Sequence, residues 1–368
     1  MKILHVLGKL DRGGVETWLV QILRNIDRSK YQMDFVVHTT MPGAYDDEVR
    51  ALGSKIIPCL KPSSPIRYAR NFRRILREHG PYDVVHSHVH HYSGYVLALA
   101  AVFGVRRRIA QSHNDTRGIS SRATLVRKVY CMLMEGMISS CSTMCLAVSR
   151  DAAAALSRTS SAAVWRQIPL GIDLCKFEGE VDKAKIRRNL GIPETGTVIG
   201  HVGRFDPQKN HTFLVDIAKM FLQLEPAATF LLVGDGPLRS AIQQRVGDAN
   251  IADHFIFAGV RRDVALLMRG GMDVFCFPSL YEGLGIVLLE AQAAGLPIVM
   301  SDAVPDEAVV NPGLISRCAL EASPQTWCEA IQALVRHPRP DPAEALAKMQ
   351  DWSVESSAQK LLDYYELQ

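Results

Sequence analysis

Several patterns are missing from this 368-residue chain, and each absence removes a class of chemistry. Its eight cysteines, at 59, 131, 141, 145, 175, 276, 318 and 328, contain no C-x-x-C pair and lack the compactness of a disulfide-stapled domain. They read as reduced core residues. Cys141 and Cys145 lie one helical turn apart, but no second pair completes a four-ligand zinc site. The longest apolar stretch, Tyr95 to Val105, is closed by Arg106, Arg107 and Arg108 and falls well short of the ~20 residues a membrane span needs, so it predicts a buried helix. No short repeat, low-complexity tract or G-x-x-x-x-G-K-[ST] loop is present, which argues against solenoids, disorder and P-loop chemistry.

What is present is an ordinary globular composition, 48% hydrophobic and 22% charged, on a chain long enough for two or three domains. The first apolar run, Lys2 to Leu7, starts at the initiating Met and leaves no room for a leader segment, so a cytoplasmic location is expected. Charge divides unevenly. Residues 1–168 hold 24 Lys and Arg against 12 Asp and Glu, whereas the remainder holds 18 against 26. A basic first half suits an anionic acceptor or the inner, acidic face of a membrane as readily as it suits solvated faces. Arg106 to Arg108, Arg122, Arg127 and Lys128, near Leu133, Met134 and Met137, are the candidate membrane contact, with a core helix as the alternative. Nucleic acid is not expected, because the arginines are not interleaved with aromatics and no nucleic-acid module is recognisable.

Short β-rich runs alternate with longer helical patterns: Lys2 to Leu7, Met33 to His38, Lys55 to Pro58, Asp83 to Ser87, Arg108 to Ser112 and Met144 to Ser149. The alternation predicts parallel strands joined by crossover helices. It breaks at W-R-Q-I-P-L-G-I-D, residues 165–173, then resumes with Val198 to Val202, Thr229 to Val233, His254 to Phe257, Val274 to Phe277 and Ile298 to Ser301. The expected organisation is therefore α/β: a doubly wound domain at 1–168, a second at 169–352, and an amphipathic tail helix at 353–368 that packs back on the first domain. Strand carboxyl ends should carry the ligands, in a cleft shared by the two domains.

The motifs do fall at strand ends. Glu282 and Glu290 bracket E-G-L-G-I-V-L-L-E, where Gly283 and Gly285 permit close backbone approach and Ile286 opens a helix with free N–H groups. Two acids repel phosphate, so they suit the hydroxyls of a ribose and a sugar ring, which points to a nucleotide sugar. These nine residues alone fit a surface helix with one capping and one solvated Glu equally well. After Val198 to Val202 comes G-R-F-D-P-Q-K-N, where Arg204 and Lys209 follow Gly203 as a fork and a point charge suited to a diphosphate. Gly13 and Gly14 follow the first strand, ahead of a helix with Glu16 in its first turn, but their loop lacks a full G-x-G-x-x-G. His86, His88, His90 and His91 tempt a metal reading, yet the strand ends near Ser87 and no carboxylate stands at ligand spacing. His113, in Q-S-H-N-D, is the best candidate active-site imidazole. No D-x-D occurs, so the carboxylate pair that usually holds a divalent ion on a sugar diphosphate is absent, and neither metal nor cofactor is expected.

Taken together, G-G-V-E, Q-S-H-N, I-P-L-G-I-D, V-G-R-F-D-P-Q-K-N, L-L-V-G-D-G-P and E-G-L-G-I-V-L-L-E-A-Q-A-A-G-L-P-I-V resemble the retaining GT-B glycosyltransferases of family four, across nearly the whole chain and in order. H-V-L-G-K-L-D-R-G-G-V-E-T and S-D-A-V-P-D-E-A are similar to bacterial enzymes of exopolysaccharide assembly on a lipid carrier. The resemblance implies two Rossmann-like domains facing a central cleft and transfer of a hexose from a nucleotide sugar, such as a UDP-sugar, to a glycan or lipid-linked glycan. By the same resemblance Gly14 lies against the donor diphosphate, Arg204 and Lys209 pair with it, and Glu290 holds the ribose. Glu282 with the Leu284 and Gly285 backbone meets the sugar, His113 lies beside it, and Ala258 to Arg261, including Val260, reads the base. Leu170 stands where Asn is common, and V-P-D-E replaces a glycine-rich stretch. A non-hydrolysing sugar-nucleotide epimerase and a non-catalytic two-lobed sugar-binding protein are the competing readings. Both Glu282→Ala and Lys209→Ala are expected to cut turnover while leaving the fold intact.

Overall fold

The structure, a computed structural model, describes residues 1–60, 62–115, 124–157, 165–193 and 195–367. The chain divides into two compact units, Met1–Gly171 with Val354–Gln368, and Ile172–Ser353. Arg122, one of the basic residues singled out above, lies outside the described residues.

In the first unit a seven-stranded parallel sheet is built from β1 (Lys2–Leu7), β2 (Gln32–Val37), β3 (Ile56–Pro58), β4 (Val84–Ser87), β5 (Arg107–Ser112), β6 (Met144–Ala147) and β7 (Trp165–Gln167). Their order is β3-β2-β1-β4-β5-β6-β7. Helices cover the sheet, so β4 is buried along its whole length, as an interior parallel strand should be. The chain leaves β1 in one direction and returns on its other side at β4. That reversal opens a crevice at the strand carboxyl ends between β1 and β4, where open α/β sheets bind ligands.

The tail helix Val354–Glu366 belongs to this unit and packs on the helix Gly14–Asn25. Trp18, fully buried, donates its Nε1–H to Ser357 Oγ at 2.8 Å, and Ser357 donates in turn to the Pro169 carbonyl at 2.6 Å. Tyr365 is equally buried, with its hydroxyl 2.7 Å from His86 Nδ1 under the sheet's crevice.

The second unit holds β8 (Val198–Val202), β9 (Thr229–Val233), β10 (Phe255–Gly259), β11 (Val274–Phe277), β12 (Ile298–Ser301) and β13 (Ile315–Cys318), again all parallel, in the order β10-β9-β8-β11-β12-β13. Here the reversal falls between β8 and β11. Its core gathers Phe221, Phe230, Phe255 and Trp327 with aliphatic residues of β8, β11 and β12. Backbone ties from Ile172 to Trp352 and Ser353 join the first and last residues of this unit.

Two features depart from the sequence reading. Trp165–Gln167, read as part of the domain break, is an edge strand of the first sheet, and β13 is an additional strand of the second. Cys175 is exposed and Cys131 and Cys141 are partly so, so the reading of the cysteines as core holds for Cys59, Cys145, Cys276, Cys318 and Cys328. All eight are free thiols.

Candidate active site

In the second unit, the loops leaving β8 and β11 meet at the reversal. Gln208 bridges them, its carbonyl accepting from Leu280 N at 2.8 Å and its Nε2 donating to Tyr281 O at 2.9 Å. This bracing brings Lys209 and Glu282 together. Lys209 Nζ lies 2.6 Å from Glu282 Oε1 and 4.7 Å from the centre of the Phe277 ring, with Glu282 only 4% exposed. Asp206 caps the short turn Pro207–Lys209 by accepting from Lys209 N, which sets the lysine's backbone. The two residues assigned separately to diphosphate and sugar are thus each other's partner in the unliganded protein. A buried ion pair tolerates loss of one member poorly.

Around this pair the backbone is packed tightly. A Cβ on Gly203 would come within 3.1 Å of the Lys209 side chain, and one on Gly234 (φ +137) would collide with the Gly203 carbonyl. Arg204 is exposed and forms no ion pair among the described residues. Gly283 and Leu284 are buried, and Gly285 (φ +75) turns the chain into the helix Ile286–Ala293, whose first N–H groups open at this end. Glu290, one turn further on, is only partly covered. Enough protein surrounds it that loss of water pushes its carboxyl up to about 7, with Lys176 as the opposing influence. Val260 is 54% exposed beyond the end of β10, whereas the neighbouring Arg261 is engaged by Asp263 at 2.6 Å.

Beneath Gly203 lies a feature the sequence did not disclose. His201 donates Nδ1–H to the Cys276 carbonyl at 2.9 Å, leaving Nε2 buried without a partner, and its ring meets His211 edge-on at 4.7 Å. Burial holds both rings well into the neutral range, His211 at about 4. His211 in turn stacks on Phe205.

The first unit's crevice is lined by imidazoles rather than ions. Parallel pairing places His5 of β1 directly opposite His86 of β4. His5 Nδ1 lies 3.0 Å from His88 Nε2, and His88 Nδ1 lies 2.9 Å from His113 Nε2. Burial lowers all four, His5 and His113 to about 3 and His86 and His88 well below the ordinary histidine value. His5, His86 and His88 bring one ring nitrogen each to within 4.8 Å of one another, a spacing on which a metal ion could close. His90 and His91 stand apart from that trio, His91 reaching Glu135 at 3.2 Å. The sequence reading missed His5, since nothing in a strand's own sequence shows which residue of another strand it will face. Gly13 precedes the helix Gly14–Asn25, with the Glu16 carboxylate folded against it.

Comparison with known proteins decides the family. Residues 12–176 match the family described as Glycosyltransferase Family 4, and residues 182–350 match Glycosyl transferases group 1. The chain is 34% identical, over its whole length and 96% of the relative, to a putative glycosyltransferase, EpsF, of Bacillus subtilis. It belongs to these glycosyltransferases. The glycosyltransferase is also 35% identical over 139 residues to an Escherichia coli protein named UDP-Gal:alpha-D-GlcNAc-diphosphoundecaprenol alpha-1,3-galactosyltransferase, covering 37% of this chain and 36% of that one. Among solved structures, Anabaena Alr3699/HepE in complex with UDP and glucose superposes with a TM-score of 0.83 at 19% identity, covering 99% of both chains. WaaG, a glycosyltransferase of lipopolysaccharide biosynthesis, gives 0.74 at 18%, again over 99% of each. The fold is GT-B.

Proposed function

We propose that this glycosyltransferase is a retaining, metal-independent enzyme that moves a hexose from a UDP-sugar to a growing, lipid-linked exopolysaccharide or cell-surface glycan. The observation that carries the reading is the buried Lys209–Glu282 pair at the β8/β11 reversal, beside exposed Arg204 and an open helix N-terminus. A cation, a fork of donors and free amides in one crevice suit a leaving diphosphate, whose charge grows as the glycosidic bond breaks. On this reading the diphosphate takes over Lys209, and Glu282, released, accepts hydrogen bonds from the sugar hydroxyls. Glu290 holds the ribose, and Val260 and the neighbouring backbone hold the base. With Lys and Arg carrying the charge, no metal is required. The undecaprenyl-linked acceptor named for the Escherichia coli relative favours a lipid-linked acceptor, and the UDP complex of HepE favours a uridine donor.

A lipid carrier would bring the enzyme to the cytoplasmic membrane face. The helix Leu125–Cys141 supports peripheral contact: Leu125, Val126 and Leu133 are 77%, 81% and 57% exposed, beside exposed Arg127 and Lys128. No described helix is long and apolar enough to cross a membrane.

The test is a panel of nucleotide sugars offered with undecaprenyl-diphosphate-linked acceptors, the product's anomeric configuration being read by NMR. Sugar transfer with retention in EDTA is the expected result. Release of an epimerised free nucleotide sugar without acceptor would replace the reading with an epimerase, and binding without turnover would replace it with a sugar-binding protein.

A further inference from the structure

We propose that His201 is a positioning residue of the second unit's site: bonded across the β8/β11 crevice to the Cys276 carbonyl, its ring is the seat on which Gly203 and Phe277 hold Lys209 ready for a diphosphate. What Lys209 meets rests on the donor reading above; that His201 seats it does not.

The place of His201 follows from where two strands part. β8 stays paired with β9 as far as Val202, and β11 stays paired with β12 as far as Phe277. Between β8 and β11 the pairing stops earlier, at Gly200 and Phe275, and the crevice opens there. His201 and Cys276 are the next residues along, and a side chain joins them: His201 Nδ1 lies 2.9 Å from the Cys276 carbonyl oxygen. A carbonyl only accepts, so the proton belongs to Nδ1, and Nε2 of the neutral ring is bare. Burial, with the nearby His211 and Lys209, keeps the ring neutral. The bond ties the two sides of the crevice at its floor, as Gln208 ties their loops.

Two of the surfaces that hold Lys209 rest on this ring. A Cβ on Gly203 would lie 3.0 Å from His201 Nε2 and 3.1 Å from Lys209 Cγ, so imidazole, glycine and lysine methylenes are packed against one another with no room for a side chain. Phe277, whose ring centre is 4.7 Å from Lys209 Nζ, stacks on His201 with centroids 5.8 Å apart. His211, two residues after Lys209, meets the His201 ring edge-on at 4.7 Å and stacks in turn on Phe205 at 4.1 Å. The Cys276 bond fixes the rotation of a ring that packing alone would only confine. Phenylalanine at 201 would keep the stacking and lose the bond, whereas the amide N–H of asparagine stands where Nδ1–H stands and keeps it.

The test is calorimetric titration of UDP and of uridine into the full chain and its variants. The unaltered protein should bind UDP more tightly than uridine, because only UDP carries the diphosphate. His201→Phe should weaken UDP about tenfold through a displaced Lys209 and leave uridine unchanged. His201→Asn should recover most of that affinity. In the Lys209→Met, Glu282→Gln protein, His201→Phe should cost nothing further, since the residue through which it acts is gone. Equal weakening of UDP and uridine, an additive loss in that background, or an asparagine variant no better than the phenylalanine one overturns the proposal. UDP bound no more tightly than uridine by the unaltered chain sinks the donor reading instead, and the seat is then judged without ligand. Two-bond 1H–15N NMR should find the His201 proton on Nδ1, and crystals of His201→Phe should show Lys209 moved from Glu282; a proton on Nε2, an imidazolium, or an unmoved Lys209 overturns the proposal. Should His201→Phe not fold, the tautomer of the unaltered protein and UDP binding by His201→Asn decide.

Discussion

Replacing Glu290 by Gln should make the unliganded protein more stable above neutral pH while weakening its hold on a nucleotide sugar. Burial pushes this carboxyl up to about 7 from an ordinary 4.5. Below 4.5 the group is protonated in both folded and unfolded chains and contributes nothing. As pH rises through the window from 4.5 to 7, the unfolded chain gives up its proton first, so stability falls, and above 7 the deficit is complete. At about 1.4 kcal/mol per pH unit the deficit reaches about 3 kcal/mol. Glutamine keeps the shape and cannot ionise. The two proteins should therefore melt together near pH 4.5 and separate steadily towards pH 8, the variant being higher by several degrees. A ribose hydroxyl donating to the carboxylate would restore the hydration that burial removed, so the donor should bind the ionised form. Wild-type affinity should then rise about tenfold from pH 6 to pH 8, and the variant's should stay flat. The measurements are thermal melts across that range and calorimetric titration with nucleotide sugars. Parallel melting profiles for the two proteins would refute the reasoning at its first step.

Lys209→Ala should destabilise the second unit by about 3–5 kcal/mol because it strands Glu282 as a lone buried charge, and the Lys209→Met, Glu282→Gln double variant should recover much of that in denaturant melts without recovering turnover. Ser357→Ala leaves the buried Trp18 N–H without its acceptor and should cost about 1–3 kcal/mol in the same measurement. Turnover should survive EDTA, and its loss with rescue by manganese would remove the metal-independent reading. Liposome flotation should require anionic lipid and should fail for Arg127→Glu with Lys128→Glu, a charge change on an exposed helix face.

Much of the fold was legible because parallel sheets write themselves into a chain plainly. β1, β8, β9, β11 and β12 fall where continuous apolar runs predict them, since strands covered on both faces need apolar residues throughout. The strands that escaped notice are both at sheet edges. Trp165–Gln167 is partly exposed and carries Arg166 and Gln167, and Ile315–Cys318 includes an exposed Arg317 whose guanidinium donates to the Val304 carbonyl. An edge strand is held by one neighbour and needs little hydrophobicity to stay there. Glu290, inside the helix Ile286–Ala293, was singled out by its spacing from Glu282, whereas Lys209 and Glu282 were legible as candidates because charged residues on loops past a buried strand have no packing role to explain them. Their mutual contact was not, because it depends on two loops separated by 73 residues meeting at a reversal of strand order.

That reversal also explains why the two units chose different chemistry for the same topological position. In the second unit, the residues at the β8/β11 crevice sit on loops, Lys209 and Glu282 both beyond the last paired residue, where charges can be exchanged with a ligand without exposing a strand. In the first, His5 and His86 sit within β1 and β4 themselves, enclosed by the sheet and by Tyr365 of the tail helix. A charged side chain at such a position would have to be buried permanently, at a cost of several kcal/mol. An imidazole, by contrast, can be buried uncharged, and burial lowers His5 and His86 below their ordinary range. Loops beyond the strand ends can therefore carry ions, while positions within the strands are better served by histidines held below their titration range.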